Sequence, residues 1–466
     1  MSKYQAYPEY KNIDNKWLDK IPSHWVVTHI KHILSMPITD GPHSTPVFLD
    51  EGVPFVSAEA VSSGRINFNK IRGHISEKDD EIFSQKYSPR LHDVYMIKSG
   101  ATTGITAIVE TQKRFNIWSP LAVMRCKKSY NPYFLLNSLR SDFFQKSVQL
   151  SWTFGTQQNI GMGILENLTV CYPPLAEQTQ IAVFLDHETA KIDTLIEKQQ
   201  KLIELLKEKR QAVISHAVTK GLNPDAQMKD SGVEWLGEVP VHWVSTPLKH
   251  YAKVIDCKHI TAEFNDDGFP LASISEVKGW SVDLSSAKFT SKKFYDELIE
   301  GGRKPITGDI IYSRNATVGE AALVLPDMPE FAMGQDVCLI RLRENLNPEY
   351  LLYVLNSGVI ENQLSLAMVG STFKRINVDN IRNFLLALPP ISEQEQINKA
   401  LSSLTSKYDS LMAKALVKIN LMQERRTALI SAAVTGKIDV RHFTLEDGIA
   451  PTTSSDSNGA QQELTA

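Results

Sequence analysis

The sequence predicts an α+β fold: two mixed α/β domains joined by two long antiparallel coiled-coil helices, arranged as a pseudo-twofold internal repeat. Three observations predict it. A helix-forming stretch occurs twice, at a constant offset of 216 residues. A short Trp- and Pro-containing segment precedes each of two large stretches, at an offset of 218. The strand and helix signals of the two large stretches fall in the same order. Repeats are sought first because a missed one misassigns the whole fold.

The helical repeat is the strongest element. Pro173, Pro174, Glu177, Gln178, Gln180 and Ile181 recur as Pro389, Pro390, Glu393, Gln394, Gln396 and Ile397. Glu208, Arg210, Ala212, Ile214, Ser215, Ala217, Val218 and Thr219 recur as Glu424, Arg426, Ala428, Ile430, Ser431, Ala433, Val434 and Thr435. No Pro or Gly interrupts Ala176–Lys220, and good helix formers dominate it. Pro-Pro marks its start, and Glu177 in the first turn complements the exposed amides. Ile192, Leu195, Gln199, Leu202, Leu206, Lys209 and Val213 step by threes and fours, as do Tyr408, Leu411, Ala415, Lys418, Met422, Arg425 and Leu429. Ile203 and Ile419 widen these stripes, giving the pattern of a helix pair. Such a helix, at about 1.5 Å per residue, is roughly 65 Å long. A dimerisation coiled coil is the simpler reading of one such helix; the second copy supplies a partner within the chain. The path through the second domain, if its entry and exit are close, makes the helices antiparallel.

In chain order, residues 1–25 are an N-terminal anchoring segment. Trp17, Leu18, Pro22, His24 and Trp25 recur as Trp235, Leu236, Pro240, His242 and Trp243 in the connector, residues 221–243. Two tryptophans and a proline so close together imply a packed connection, and both histidines read as packing or hydrogen-bonding groups. The first mixed domain is 26–171 and the second 244–387. Val94–Ile97, Thr106–Val109, Leu121–Cys126 and Leu168–Tyr172 read as strands, and Asn131–Val148 as one helix. Asp93, Ala101, Gly104 and Asn131-Pro132 recur as Asp309, Ala316, Gly319 and Asn347-Pro348, whereas Ser57–Arg90 bears little likeness to Ser273–Lys304. The long helices occupy 172–220 and 388–436, and the tail, 437–466, is expected to be largely disordered for its Ser, Thr, Gly and Gln content.

Composition sets bounds. A chain of 466 residues has room for two to four domains, and its net charge of −3 makes it no basic nucleic-acid binder overall. Charge placed on one surface still permits DNA binding. Four separated cysteines suit a reducing cytosol. A polar start and the lack of an apolar run near about 18 residues point to a cytoplasmic protein with no membrane partner.

No catalytic motif stands out. Gly100-Ala101-Thr102-Thr103-Gly104 lacks the lysine of a phosphate loop and reads as a tight turn. Asn131-Pro132-Tyr133 and Asn347-Pro348-Glu349 read as helix starts. Asp93 and Asp309 lack the acidic and lysine partners of a nuclease and read as structural. No zinc finger, H-E-x-x-H or G-x-S-x-G elbow occurs. Catalytic, cofactor-binding and metal residues are therefore expected to be none.

Two similar domains on a rigid rod form a ruler, and DNA is the natural object of fixed repeat. Candidate readers in the first domain are Arg65, Lys78, Lys98, Thr102, Thr103, Lys113, Arg114, Trp152 and Phe154, with Lys70, Arg72 and Gln157-Gln158 alongside. In the second they are Lys278, Trp280, Arg303, Lys304, Arg314, Asn315, Lys374 and Arg375, with Lys292 and Lys293 alongside. Cations would position the backbone, and amide and aromatic groups would address base edges. Arg314-Asn315 and Lys374-Arg375, in loops near repeated glycines, are the strongest. Because these loops differ between domains, the target should be asymmetric and in two parts.

Taken together, the paired PPLAEQTQI and PPISEQEQI starts, the KRQAVISHAVTKG and RRTALISAAVTGK ends and the GVEWLGEVPVHW segment closely resemble the specificity subunit of Type I restriction-modification enzymes. The resemblance spans all but the tail. It implies two target-recognition domains, each reading half of a bipartite DNA site, and spacer helices that dock two modification (adenine methyltransferase) subunits. Restriction subunits, as translocase and nuclease, would then join. S-adenosylmethionine, ATP and Mg2+ would be bound by those partners and none by this chain. On that pattern Glu177, Gln178, Arg210, Glu393, Gln394 and Arg426 belong to framework and docking regions. Self-association of the isolated chain stays open. So do two other readings: a stand-alone or fused modification or restriction enzyme, and a coiled-coil interaction protein without a DNA role. Two local departures are Lys220 opposite Gly436, and Asn12-Ile13-Asp14-Asn15 opposite Asp230-Ser231-Gly232-Val233.

Overall fold

The computed structural model describes residues 4–154, 158–233, 235–315, 318–367 and 375–445. The chain divides into two compact units, Met1–Lys198 with Val417–Ala466, and Gln199–Leu416. Each holds a mixed α/β domain and parts of both long helices, which run over Leu175–Lys220 and Ile391–Val434.

In the first unit, strand Val94–Ile97 lies between Leu121–Met124 and Thr106–Ile108, and Thr39–Asp40 completes an antiparallel sheet of four. In the second, Ile310–Ser313 lies between Val337–Leu342 and Ala321–Leu323, and Ala252–Asp256 completes the equivalent sheet. The two inner strands of each sheet are mostly apolar and buried, as strands covered on both faces must be. Each sheet is crossed by the same ion pair, Arg125 on Asp93 at 2.7 Å and Arg341 on Asp309 at 2.6 Å. The aspartates that open the repeated strands are thus framework groups.

The segments with least sequence likeness also share a plan. Val53–Val56 pairs antiparallel with His74–Ile75 and parallel with Asn116–Ile117. Phe269–Ala272 pairs in the same senses with Lys288–Thr290 and Ala332–Met333. In both, a serine-capped helix follows, Glu77–Ser84 after Ser76 and Lys292–Ile299 after Ser291. What the central strands share is continuous burial of short, mostly apolar runs, and many residue sets satisfy that.

Two expectations are corrected. The helix expected over Asn131–Val148 is two, Pro132–Arg140 and Asp142–Leu150. Ser141 between them is extended, and its hydroxyl accepts from the Phe144 amide as an N-cap. The helix stripe is also displaced by one residue at alternate positions. Leu195, Leu202 and Leu411 are 50%, 41% and 39% exposed, and Lys209, Lys418 and Arg425 are exposed too. Ile196, Ile203 and Arg210, with Met412, Ile419 and Arg426, are the more covered residues instead. Leucine beside isoleucine makes two apolar stripes equally good on paper, about 100° apart around the helix. An arginine is tolerated on the buried stripe because the opposite helix supplies an aspartate.

Those pairs set the helix direction. In the first unit Arg426 Nε lies 2.9 Å from Asp193, and in the second Arg210 Nε lies 3.1 Å from Asp409. Within the first unit Cys171 also meets Val434 O, and within the second Gly221 lies against Glu393, so in each unit the helix segments run antiparallel, as expected. Both helices end at a left-handed glycine, Gly221 (φ 76°) and Gly436 (φ 70°). The first cap simply falls one residue later, which accounts for Lys220 standing opposite Gly436.

Candidate nucleic-acid interface

The proline-bounded helix starts hold each domain to its helix. The Gln178 side chain accepts from the Asn131 amide at 2.8 Å and donates to Pro173 O at 2.9 Å. Gln394 does the same with Asn347 and Pro389, at 2.8 and 2.9 Å. Asn131 and Asn347 each cap the first helix of their domain, with Pro next in sequence. Ser431 accepts from the Asp142 amide and Ser215 from the Gly358 amide. Each of these contacts is therefore made twice.

The anchoring segments are less equal. Glu177, 8% exposed, accepts from Tyr7 Oη at 2.6 Å and Trp25 Nε1 at 3.0 Å, and lies 2.8 Å from His24 Nε2. Burial, then the hydrogen bond to Glu177, pushes the Tyr7 phenol well above its usual range, so it stays a donor. Glu393 is half-buried and meets His242 Nε2 at 2.7 Å, while Trp243 Nε1 is buried without a partner. In the first unit, Tyr10 donates to Gly436 O, and the Asp439 amide to Gln5 O. Ile438 and Val440 are buried there and Phe443 packs on Phe184, so 437–445 continue the packed structure. The disorder expected beyond Leu445 concerns residues outside those described.

The candidate readers fall into three groups. Some are committed to acids or carbonyls. Lys98 lies 3.2 Å from buried Asp40. Arg114 bridges Glu77 at 2.6 Å and Asp80 at 2.5 Å. Arg303 donates to Asp256 O and Glu300 O, and Lys304 pairs with Glu330. Arg314, 3% exposed, pairs with Asp256. A second group is packed. Trp152 is partly buried against the first core. Trp280 lies 4.9 Å from the Arg210 guanidinium and 5.1 Å from the Tyr353 ring. Thr102 and Thr103 form the tight turn, with Thr103 Oγ1 donating to Gly100 O. The third group faces solvent: Arg65, Lys78, Lys113, Lys278 and Arg375 are exposed. Lys113 lies over the Phe68 ring at 4.9 Å. Asn315 bridges to Arg375 along the backbone. Phe154 lies in strand Thr153–Phe154; Lys374, like Gln157, lies outside the described residues.

In the first unit the structure brings Arg65 and Thr103 onto one open cleft of about 1500 Å³, with Arg140, Gln145, Asp193 and Arg426. Arg140 donates to Gly64 O at 2.7 Å and Thr106 O at 3.1 Å. Burial, then repulsion from Arg426 and Arg65, lowers its guanidinium to about 10. Sequence reasoning missed Asp193 and Asp409 as partners of the two framework arginines, although the shared 216-residue offset was a signal that could have found them. Among the described residues, no helix is long and apolar enough to cross a membrane.

The profile of the Type I restriction modification DNA specificity domain matches residues 22–205 and again 240–421. A Methanocaldococcus jannaschii chain assigned as the MjaX type I restriction enzyme specificity subunit is 26% identical over 94% of this chain and 99% of its own length. The EcoKI specificity subunit of Escherichia coli K12 is 22% identical over 90% of each chain. A solved chain, from work on complex assembly and conformational transition of the type I R-M system, superposes with a TM-score of 0.63 at 17% identity. It covers 90% of this chain and 99% of that one, a likeness of fold.

Proposed function

The chain belongs to the Type I restriction-modification DNA specificity family, and from that premise we propose that it is a non-catalytic specificity subunit reading an asymmetric, two-part site on double-stranded DNA. The recognition domains are 26–171 and 244–387, each reading one half-site. The exposed cations Arg65, Lys78, Lys113, Lys278 and Arg375 approach the DNA, together with Phe154 and Lys374. The long helices set the spacer. Two modification subunits dock on the framework around Glu177, Gln178 and Arg210 and around Glu393, Gln394 and Arg426. Those partners carry S-adenosylmethionine; restriction subunits carry ATP and Mg2+. One observation carries the reading: the family profile matches twice, over two domains with one frame and dissimilar loops.

The near-neutral charge implies weak DNA binding by the chain alone, with partners supplying many of the phosphate contacts. The test supplies S-adenosylmethionine to the chain alone and to the chain with its modification subunits, each on duplex DNA. Methyl transfer is expected only with the partners. Transfer by the chain alone would establish the modification-enzyme reading instead. A complex without preference between duplex sequences in an electrophoretic assay would favour the coiled-coil interaction reading.

A further inference from the structure

Three residues recur at the 216-residue offset in a part of the chain where the loops otherwise diverge. Asp40, His43 and Lys98 return as Asp256, His259 and Arg314. Asp40 closes strand Thr39–Asp40 opposite Ala122, and Asp256 closes Ala252–Asp256 opposite Cys338. In the first domain the Asp40 carboxylate lies 3.1 Å from His43 Nε2 and 3.2 Å from Lys98, with Lys86 as a second cation. In the second the Asp256 carboxylate meets Arg314 and lies 3.4 Å from His259 Nε2. The cation side chains are 13% and 4% exposed, and the imidazoles 69% and 60%. Burial works against ionisation of both aspartates, but the cations outweigh it and hold each carboxyl below its usual range. Each site is thus a charged carboxylate, fixed from behind by a cation, beside a largely exposed imidazole; in the second domain His259 Nδ1 also lies 4.0 Å from Cys257 Sγ.

A metal centre is the obvious alternative, because Asp256, Cys257 and His259 place ligand atoms within 4.8 Å of one another. The repeat argues against it. Cys257 corresponds to Gly41, so the thiol is not part of what the two domains share, and the Arg314 cation already occupies the carboxylate.

A group built alike in two domains that read different sequences cannot carry the difference between them. It suits what the two half-sites have in common, and on duplex DNA that is the sugar-phosphate backbone. We propose that His43 and His259 are matched backbone-phosphate anchors, one in each recognition domain, each set beside its aspartate and donating a ring N–H to a phosphate oxygen. The proposal rests on the DNA-reading function.

The test uses the chain assembled with its modification subunits. Anisotropy titrations compare a duplex carrying the methylated site with one in which both half-sites are scrambled, over a series of salt concentrations. His43→Ala and His259→Ala should each weaken both duplexes on the order of tenfold and flatten the slope of log K against log salt by about 0.9. The double variant should add the two effects, and the methylated sequence should not change. His43→Gln and His259→Gln, which keep a polar side chain without the imidazole, should lose the same salt slope with an unaltered melting temperature. A changed base preference in either half-site would overturn the proposal in favour of base reading. Unchanged affinity and slope in the double variant would overturn it in favour of a purely structural role. Loss of all preference between the two duplexes in the unsubstituted complex is a different failure, and removes the DNA-reading function itself.

Discussion

Glu177→Ala should loosen the N-terminal anchoring segment far more than Glu393→Ala loosens its counterpart. The substitution strands two buried donors, the Tyr7 hydroxyl and the Trp25 indole, whose residues are 4% and 0% exposed. An unpaired buried donor costs about 1–3 kcal/mol, so the loss should be about 3 kcal/mol or more. Glu393 is half-buried and holds mainly His242, and losing that contact should cost about 1 kcal/mol. Hydrogen exchange measured peptide by peptide separates the two. Protection over residues 4–25 should fall on the order of a hundredfold in Glu177→Ala, and residues 228–243 should change about tenfold or less in Glu393→Ala. Equal losses in both variants would mean that the anchors are energetically symmetric and that the hydrogen-bond network around Glu177 contributes little.

The second large effect concerns helix length. One added heptad in each long helix, at matched positions between Ile192 and Val213 and between Tyr408 and Leu429, preserves the buried stripe and the antiparallel register. It lengthens each helix by about 10 Å, equal to about three base-pair steps. The complex carrying the lengthened chain should methylate the same two half-sites with a longer spacer between them. An insertion of four residues in one helix alone instead breaks the register marked by Asp193–Arg426 and Arg210–Asp409, and should destabilise the pair before it alters any preference. A lengthened chain that still methylates at the original spacing would show that the helices do not set the spacer.

The repeat, the two long helices, most of the framework strands and the family resemblance were legible in the sequence because each is carried by many residues at one offset. Finer features were not. Leu195 and Ile196 are both apolar, and only the position of the opposite helix decides which is covered. Ser141 as a helix break was hidden because it is polar on an otherwise amphipathic run, although its hydroxyl makes an N-cap. The candidate readers were least legible. Arg314 and Asp256 stand 58 residues apart in sequence, so nothing local marks Arg314 as buried and paired while Arg375 is exposed. Ion pairing is a tertiary property, and a list of loop cations mixes framework charges with exposed ones. The Asp-x-x-His repeat at the 216-residue offset was a signal that sequence reasoning passed over.

The central claim is that one chain supplies two different recognition domains to one complex. Mapping methylated adenines across a genome in cells that carry this chain with its modification subunits tests it most directly. The account predicts a single motif with two dissimilar half-sites separated by a fixed spacer of unspecified bases. One contiguous palindrome, or two half-sites of the same sequence, would contradict it.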